Sequence, residues 1–563
     1  MKTELRIVHF NDVYHVPSLD LLSRFTHIQQ SFLGPNKANG LTIFSGDGFS
    51  PSLEASVLKG EHMGPVLDFV GVDVACYGNH DFDFGDARLI ELSKGVRFPW
   101  VLSNAFHSPG NGAESSKALL GCAEEYVIRT IDGVRVGLFG LAGTDWPSNC
   151  ENLPPSIIAS PVEVAKRLAK HLRTHESCDV VIALTHMRLA EDMEVANATL
   201  EGESRVDLLL GGHDHDVSRR FTGDTETRSR IIEQGQENAE IVCDGLVRQT
   251  TGDIRIVKSG TDWRNLSLVK MEFEQGEDGT VAVSTDLTQY TDIQAAIESA
   301  PAPPQAADML SAIHDRVGII VQEPALHTSV PLDGRSTVVR SQETNLGNML
   351  ADAVRAFYNT DIAFFNSGAI RPDRILGPTV DGRPLLVRDI INICPFENPL
   401  VVKRMPGRIL RLALENSIGD MHSDGRFFQV SGLRITASWD REQGDRILEI
   451  LHGDQSGHIS KLDPEREYTV AMSLFISLGF DGYSWFPNED TLIGEEAAMT
   501  DTGLVLQIFG HGEGIQGNEA HIHGIARAQG VTISGRAGDG FPVVSPVVDG
   551  RIRFVGSDFN NAE

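Results

Sequence analysis

The sequence predicts an α/β protein built from two large domains. Its 563 residues exceed what one ordinary hydrophobic core accommodates, at roughly 100 to 200 residues per domain. In the first half, short apolar runs alternate with helix-like stretches, which is typical of a layered α/β domain. The proline-rich segment 299–305 then interrupts the pattern before strands and helices resume. We therefore expect a layered α/β domain, a linker, and a second domain of α/β or α+β type.

Six apolar runs in the first half predict strands that are buried on both faces. Runs of four to eight apolar residues bounded by polar, glycine-containing turns are characteristic of such strands. The stretch 161–173 has apolar residues at helical spacing. Functional groups of a layered α/β domain lie in the loops beyond the strand ends. The predicted strands are 5–10, 41–44, 72–76, 134–141, 180–184 and 206–210.

Four segments follow from these patterns. We place the first domain at 1–290 and a helical linker at 291–321, where prolines interrupt a helix-like stretch. The second domain occupies 322–524. The remainder, 525–563, is rich in Gly, Val and Pro, and its sequence indicates no chemistry.

The charge and composition restrict the partners. Hydrophobic residues make up 41% of the chain and charged residues 22%, which is typical of a folded globular protein. A formal net charge of -30 disfavours binding to nucleic-acid polymers or acidic membranes, because both need clustered Lys and Arg. Neither a signal peptide nor an apolar run of membrane-spanning length is recognisable, so we expect a cytoplasmic protein. The oligomeric state stays open.

The cysteines indicate neither a zinc knuckle nor a disulfide framework. Six of them are scattered through the chain without CxxC spacing. We expect them to be buried free thiols.

Five polar segments that each follow a predicted strand contain residue types that bind metals. A single Asp after a strand is ordinarily a turn former or a helix cap. Five such segments in one chain instead indicate a common site at the strand ends. They are Asn11-Asp12-Val-Tyr14-His15, Gly46-Asp47-Gly-Phe49, Gly78-Asn79-His80-Asp81-Phe-Asp83, Thr185-His186 and Gly211-Gly212-His213-Asp-His215.

Together these segments resemble the signature of calcineurin-like metallophosphoesterases. The sequences GNHDFDFG and GGHDH are its most specific parts. Over almost its whole length the chain is similar to the 5'-nucleotidase family, which joins that domain to a C-terminal nucleotide-binding domain. The resemblance implies an αββα metallophosphoesterase domain over 1–290 and a 5'-nucleotidase C-terminal domain over 322–524.

The resemblance also implies two divalent metal ions that share Asp47. Such a pair lowers the pKa of a bound water from about 15.7 to about 7, so that metal-bound hydroxide attacks the phosphate. Oxygen and imidazole donors fit Zn, Mn, Fe or Mg. The implied ligands are Asp12, Asp47 and His215 for the first ion, and Asp47, Asn79, His186 and His213 for the second.

His80 has by resemblance a catalytic role, and Asp83 orients it. The imidazole would stabilise the phosphoryl transition state or protonate the leaving oxygen, and a carboxylate behind it fixes the tautomer. The first motif departs from the family, which has Asp-x-His where this chain has Tyr14 followed by His15. We expect a first metal site that is weakened or partly filled by water, unless the loop turns His15 inward.

The second half contains motifs whose order and spacing are similar to those of the 5'-nucleotidase C-terminal domain. By this resemblance two arginines approach the substrate phosphate, two phenylalanines stack on a base, and two polar residues contact base or ribose. The motifs are RSQETNLGN from Arg340, FFNSGAIR from Phe364, PFEN from Pro395 and FISLGFDGY from Phe475. The implied substrate-binding residues are Arg340, Asn366, Arg371, Phe396, Phe475 and Asp481.

The sequence therefore predicts an enzyme that hydrolyses nucleotide phosphate esters, releasing phosphate and nucleoside from a nucleoside monophosphate. Gln342 stands where the family commonly has an arginine, which alters the pocket. Two related activities stay open: 2',3'-cyclic phosphodiesterase with 3'-nucleotidase activity, and nucleotide-sugar diphosphatase. A hypothesis from another class is a catalytically degenerate nucleotide-binding sensor.

Overall fold

The computed structural model consists of two compact units, Met1–Arg316 and Val317–Glu563. The division lies inside the predicted linker 291–321. The structure describes residues 2–34, 37, 40–108, 118–150, 152–228, 245–276, 279–379, 383–419, 425–454, 457–509 and 519–556.

The first unit alternates strands and helices, as the sequence predicts. Its helices are α1 Leu19–Leu33, α2 Leu53–Leu58, α3 Met63–Val70, α4 Asp86–Lys94, α5 Trp146–Asn149, α6 Pro161–Thr174, α7 Leu189–Ala198, α8 Ile293–Ala296 and α9 Ala306–Ile320, the last of which spans the division. Its strands are β1 Lys2–Phe10, β2 Gly40–Ser45, β3 Val74–Cys76, β4 Trp100–Val101, β5 Ala105–His107, β6 Tyr126–Ile131, β7 Val134–Ala142, β8 Ser156–Ile158, β9 Val180–His186, β10 Leu208–Gly211, β11 Val217–Phe221, β12 Leu246–Thr251, β13 Ile254–Ser259, β14 Leu266–Gly276 and β15 Gly279–Tyr290.

Two sheets pack face to face in this unit. One has the order β12-β15-β14-β1-β2-β3-β4 and the other the order β11-β13-β10-β9-β7-β6. Ile7 and Ile43 of the first sheet share one buried cluster with Leu138 and Ile182 of the second. Helices α6 and α7 cover the outer face of the second sheet, and α1 packs beside β1. This arrangement confirms the predicted layered α/β fold.

The sequence of α6 shows why its helix forms. Ser160 caps the first turn by accepting a hydrogen bond from the backbone N–H of Glu163, and Pro161 occupies the first helical position. Val164 and Leu168, four residues apart, lie on the buried face. Helical spacing of apolar residues thus turns α6 onto the sheet.

Parallel pairing brings the predicted strand-end segments to one edge of each sheet. Strand β2 runs parallel to both β1 and β3, and β9 runs parallel to both β7 and β10. Since the carboxyl ends of parallel strands lie on the same side, the loops that follow β1, β2, β3, β9 and β10 all emerge together. These loops, together with the last residues of β9 and β10, contain the five polar segments.

The second unit is a mixed α/β domain. Its helices are α10 Ser336–Val339, α11 Asn345–Tyr358, α12 Val387–Ile393, α13 Gly407–Ser417, α14 Leu474–Ser477, α15 Asp501–Ile508 and α16 Glu519–Thr532. Its strands are β16 Pro324–Thr328, β17 Leu332–Asp333, β18 Ile362–Asn366, β19 Ile375–Leu376, β20 Leu385–Leu386, β21 Leu400–Pro406, β22 Phe428–Ser431, β23 Leu433–Ala437, β24 Ile447–Gly453, β25 Ile459–Lys461, β26 Glu467–Ser473, β27 Asp490–Ile493, β28 Ile533–Arg536, β29 Pro542–Val544 and β30 Ile552–Phe554.

The described part of segment 525–563 is built into this unit. A central sheet has the order β22-β18-β26-β21-β27, and α11 packs against three of its strands. Strand β29 pairs in parallel with β16, and β30 pairs in parallel with β23. The C-terminal segment therefore pairs with two strands, β16 and β23, that lie more than a hundred residues earlier.

The cysteines follow the prediction in part. Cys76, Cys150, Cys178 and Cys394 are buried free thiols, but Cys122 is exposed because it lies in an irregular turn rather than in a strand. Cys243 lies outside the described residues.

Within the described part of the chain, every helix is too short or too polar to span a bilayer.

Candidate functional site

Three predicted metal ligands converge at the strand ends of the first unit. Asp12, Asp47 and His186 are completely buried, and each offers one donor atom within 4.8 Å of the others. The Nε2 atom of His186 lies 3.0 Å from Oδ2 of Asp47 and 3.9 Å from Oδ1 of Asp12. Buried carboxylates this close repel each other unless a cation compensates them.

The tautomer of His186 suits a metal ligand. Its Nδ1 atom lies 2.7 Å from the carbonyl oxygen of Ser45, so Nδ1 carries a proton and donates it. In the neutral ring, the lone pair of Nε2 then faces the two carboxylates. Burial lowers the pKa of His186, but Asp47 and Asp12 outweigh this effect and raise the pKa to about 9. The raised pKa means that Nε2 takes up a proton when no metal is bound. A metal cation could occupy the position of this proton.

His215 and the hydroxyl group of Tyr14 complete the cluster on the side of Asp12. His215 Nε2 lies 3.4 Å from Asp12 Oδ1, and Tyr14 Oη lies 2.6 Å from the same nitrogen. Burial raises the pKa of Asp12, but His186 and His215 outweigh this effect and hold the pKa well below its usual range. Asp12 therefore stays ionised in the interior.

Two further predicted ligands lie around this group. The ring of His213 is 5.1 Å from the ring of His186, and its Nε2 atom is 3.1 Å from Oδ2 of Asp145. Asn79 is completely buried and directly precedes His80. A carboxylate behind a histidine fixes the orientation of the ring, which makes Asp145 a partner that sequence reasoning missed.

The backbone is strained at four of the six predicted ligands. Asp12, Asp47, His213 and His215 have φ angles of 53°, 61°, 79° and 60°, in the left-handed region that L residues rarely adopt. Such residues cluster at functional sites, where the fold holds them in place. Gly78 allows close approach, because a Cβ atom there would lie 2.1 Å from Oδ1 of Asp47. The backbone strain therefore supports a functional role for the strand ends of the first unit.

His80 and Asp83 form a buried pair beside the cluster. Nδ1 of His80 lies 2.9 Å from Oδ2 of Asp83, and both side chains are less than a tenth exposed. The backbone N–H of His80 donates to Oδ1 of Asp47 at 2.9 Å. The main chain thus places the imidazole next to the predicted bridging carboxylate.

His15 does not enter the site. Its Nδ1 atom pairs with Asp262 Oδ2 at 3.0 Å, and its side chain is 52% exposed. The backbone N–H groups of Tyr14 and His15 both donate to Asp262 Oδ1. Asp262, which sequence reasoning missed because it lies about 250 residues away, thereby turns Tyr14 inward and His15 outward.

All six predicted substrate-binding residues line one cavity of about 410 Å³ in the second unit. Phe396 and Phe475 are partly exposed, at 54% and 39%, although large apolar side chains are usually buried. The guanidinium carbon of Arg371 lies 5.0 Å from the centroid of the Phe396 ring. The lining includes Arg340, Asn366, Arg371, Phe396, Phe475, Asp481 and, in addition, Asn398. Aromatic faces beside arginines suit a flat base and an anionic group.

Comparison with known proteins identifies the second unit. Residues 324–488 match the family described as 5'-nucleotidase, C-terminal domain. The chain is 25% identical over 529 residues to the trifunctional nucleotide phosphoesterase protein YfkN of Bacillus subtilis, covering 88% of this chain and 33% of that protein. It is 26% identical over 486 residues to Protein 5NUC of Lutzomyia longipalpis, covering 82% and 80% of the two chains. Residues 324–488 therefore belong to the 5'-nucleotidase C-terminal domain family.

A solved structure has the same fold as this chain. The NAD nucleotidase NadN of Haemophilus influenzae aligns with a TM-score of 0.67 at 15% identity, covering 99% of this chain and 100% of that one. The chain spans about a third of the length of YfkN.

Phe480 and Gln342 differ in their relation to this cavity. Phe480 stacks on Phe475 with ring centroids 4.9 Å apart and planes 16° apart, and so covers one face of that ring. Gln342 is exposed, while its carbonyl oxygen accepts a hydrogen bond from Gln429 at 2.8 Å. Gln342 is not among the residues that line the cavity.

Asp81 is a structural residue of the site that sequence reasoning missed. Its carboxylate accepts hydrogen bonds from the backbone N–H groups of Asp47, Gly48, Phe49 and Gly78, at 2.8 to 3.1 Å. It therefore joins the loop after β2 to the loop after β3. Burial, reinforced by Asp47, raises the pKa of Asp81 to about 7. The sequence feature that could have identified Asp81 is its position inside the GNHDFD motif.

Lys258 is a second structural residue of the site that sequence reasoning missed. It is 1% exposed, and its Nζ atom lies 2.8 Å from the carbonyl oxygen of Met187 and 2.6 Å from that of Gly212. It also pairs with Asp192 at 2.8 Å and Asp214 at 2.6 Å. One ammonium group thus links the loops that carry His186 and His213. The sequence feature that could have identified Lys258 is a lysine inside the otherwise apolar run IRIVKSG.

Proposed function

We propose that this chain is a metal-dependent hydrolase of nucleotide phosphate esters that releases phosphate from a nucleoside monophosphate. The observation that carries the proposal is the His80–Asp83 pair, whose main chain binds Asp47 in the middle of a buried cluster of metal-donor atoms. Binding alone would not need an imidazole with a carboxylate behind it. The first unit would cleave the ester bond, and the second would bind the nucleotide.

Two metal ions that share Asp47 would account for this set of donor atoms. Asp12 and His215 would hold one ion, while Asn79, His186 and His213 would hold the other, with Nδ1 as the coordinating nitrogen of His213 because its Nε2 faces Asp145. When bound, the ions would supply Lewis-acid activation of water and neutralise charge on the phosphoryl group. Oxygen and imidazole donors suit Zn, Mn, Fe or Mg.

His80 is the residue placed to move a proton. Asp83 accepts the hydrogen bond from Nδ1, which directs Nε2 away from the carboxylate. When both nitrogens are protonated, Nε2 can donate to the leaving oxygen of the ester as its bond to phosphorus breaks. Asp83 stabilises the imidazolium ion that exists before this transfer.

The cavity in the second unit would select the substrate. Phe396 and Phe475 offer flat apolar faces to a base, and Arg371 and Arg340 offer planar cations to an anionic oxygen. NadN and YfkN are named for nucleotide substrates, which supports this substrate class.

A phosphate-release panel tests the proposal. The full chain is freed of metal and supplied with Mn, Zn or Mg. It is then assayed with AMP, UMP, 2',3'-cyclic AMP and UDP-glucose, with His80→Asn as the low-activity control. We expect the fastest release from a nucleoside monophosphate. Chromatography of the products accompanies the phosphate assay, because the first cleavage of the cyclic nucleotide or of UDP-glucose releases no free phosphate. Faster cleavage of either compound would reassign the substrate. Nucleotide binding without cleavage of any ester would identify a sensor.

Replacement of Asp47 tests the shared ligand. We expect Asp47→Asn to lose most of its bound metal, because an amide brings no negative charge and offers one oxygen where two ions need a carboxylate. The amide oxygen can still accept the hydrogen bond from His80, so the loop should keep its shape. Inductively coupled plasma analysis after gel filtration measures the metal. The exposed Asp132→Asn serves as the control, and full metal content in Asp47→Asn would argue against the bridge.

Replacement of Phe475 tests base stacking. Stacking on an aromatic ring contributes about 1 to 3 kcal/mol, so Phe475→Ala should raise KM for AMP by about 5- to 150-fold. Hydrolysis of ribose 5-phosphate, which has no base, should not change. Leu478→Ala, an exposed position outside the cavity, is the matched control. An equal loss with both substrates would show that Phe475 does not bind the base.

A further inference from the structure

Tyr14 stands within the group of donor atoms on the Asp12 side of the site. Its side chain is 7% exposed, and its Oη atom lies 2.6 Å from His215 Nε2, 3.1 Å from Asp12 Oδ1 and 3.5 Å from Asp47 Oδ2. A surface tyrosine would hydrogen-bond water instead. Here the phenol oxygen faces three groups that are themselves predicted to bind metal.

The main chain holds Tyr14 in this position independently of the hydroxyl group. Its N–H donates to Asp262 at 3.0 Å, and the neighbouring Val13 N–H donates to the carbonyl oxygen of Asp47 at 2.9 Å. The N–H of Asp262 donates in turn to the carbonyl oxygen of Asp12 at 2.9 Å. The loop therefore presents the phenol oxygen to the site in the same way that it presents Asp12.

The spacing of these atoms matches that of ligands around one ion. With metal–ligand distances of about 2.0 to 2.2 Å, adjacent donors lie about 2.8 to 3.6 Å apart in octahedral or tetrahedral geometry. The separations of Tyr14 from Asp12 and Asp47, and the 3.4 Å between Asp12 and His215, fall in this range. The 2.6 Å contact between Tyr14 and His215 is the length of a hydrogen bond.

We propose that Tyr14 is a phenolate ligand of the first metal position, and that Asp12, Tyr14, Asp47 and His215 together select a trivalent ion, ferric iron. The inference rests on the metal site of the proposed function and changes its first ion. The sequence alone predicts that Tyr14 weakens the first metal site. As a phenolate, Tyr14 would instead strengthen it. On binding, the phenolic O–H bond breaks, an oxygen–iron bond forms, and the proton passes to bulk water.

Charge decides between a divalent and a trivalent ion. Two carboxylates and a phenolate bring three anionic oxygens to the first position, whereas the second position has Asp47 with neutral Asn79, His186 and His213. For the same separations, the Coulomb attraction of those oxygens to a trivalent ion is larger by about half. The three residues that supply these oxygens are at most 7% exposed, so water does little to screen this difference. Hard anionic oxygens suit ferric iron, and tyrosinate is an iron ligand in some haem proteins.

Spectroscopy of the reconstituted chain tests the inference. Metal-free protein is mixed with ferric nitrilotriacetate and one equivalent of Zn, and unbound metal is removed. We expect one iron per chain and a visible phenolate-to-iron charge-transfer band, with tyrosine ring vibrations enhanced in its resonance Raman spectrum. Tyr14→Phe should lose the band, and Tyr14→His should lose the band but bind two Zn ions. Tyr126→Phe removes a hydroxyl that also contacts a histidine and a carboxylate, at 3.3 and 3.2 Å, and should keep the band.

Three results would overturn it: bound iron without a band, a band that survives Tyr14→Phe in protein with unchanged circular dichroism, or two Zn ions retained against excess ferric iron. These outcomes are separate from the proposed function. A band without phosphate release contradicts only the hydrolase, and phosphate release by a di-zinc enzyme without a band contradicts only the ferric site.

Discussion

Replacing His80 with alanine is expected to lower kcat by about 10²- to 10⁴-fold, the usual contribution of a general acid, without loss of metal. The reason lies in how His80 contacts the cluster. Its backbone N–H binds Asp47, and that bond survives the substitution, whereas the side chain binds Asp83. Steady-state kinetics with AMP and metal analysis on the same sample measure both effects.

Asp83→Asn provides the graded comparison. An amide can still contact Nδ1 but cannot stabilise the imidazolium ion, so we expect a smaller loss of about 10- to 100-fold. If His80→Ala released metal in proportion to its lost activity, His80 would be a ligand and not a proton donor. If Asp83→Asn had no effect on kcat, the pair would be structural.

Replacing Lys258 with methionine is expected to lower the free energy of unfolding by about 3 to 5 kcal/mol, the usual effect of breaking a buried ion pair. The substitution leaves Asp192 and Asp214 buried without their cation, and the carbonyl oxygens of Met187 and Gly212 without their donor. Burial lowers the pKa of Lys258, but the two carboxylates outweigh this effect and raise the pKa, so the amine is charged at neutral pH. A chain with two units need not unfold in one step, so calorimetry should follow the transition of the first unit.

Two variants sharpen this measurement. Lys170→Met breaks an exposed pair with Glu203 and should change the unfolding free energy by less than about 1 kcal/mol. The double variant Lys258→Met/Asp192→Asn removes one of the unpaired charges and should regain part of the lost stability. An unchanged transition in Lys258→Met would mean that the buried pair contributes nothing.

Local sequence patterns predict six of the fifteen strands that the structure describes in the first unit, and its helix α6. The strand 134–141 is β7 Val134–Ala142, and the helix 161–173 is α6 Pro161–Thr174, because apolar spacing and capping residues are properties of neighbouring residues. The boundary of β10 is less well predicted: the run begins at 206, but the strand is Leu208–Gly211. The proline-rich segment separates α8 from α9, as proline chemistry requires.

The sequence by itself also determined which residue types gather at the site. Parallel strands end on the same side of a sheet, so local order implies spatial proximity for residues at the strand ends. His186 is the last residue of β9, and the residues that follow other strands are Asp12, Asp47, Asn79 and His213. Their roles as ligands stay predictions, as does the location of the protein in the cell.

Only the tertiary structure decided which way the individual side chains face. Tyr14 and His15 are adjacent, and no local rule says which one enters the site; Asp262, from a loop after β13, settles it by binding both backbone N–H groups. Lys258 and Asp81 join loops that are distant in sequence, and β29 and β30 place the C-terminal segment in sheets formed much earlier in the chain. Spacing along a chain encodes helices, strands and their ends, but a contact across hundreds of residues depends on packing that no short window contains.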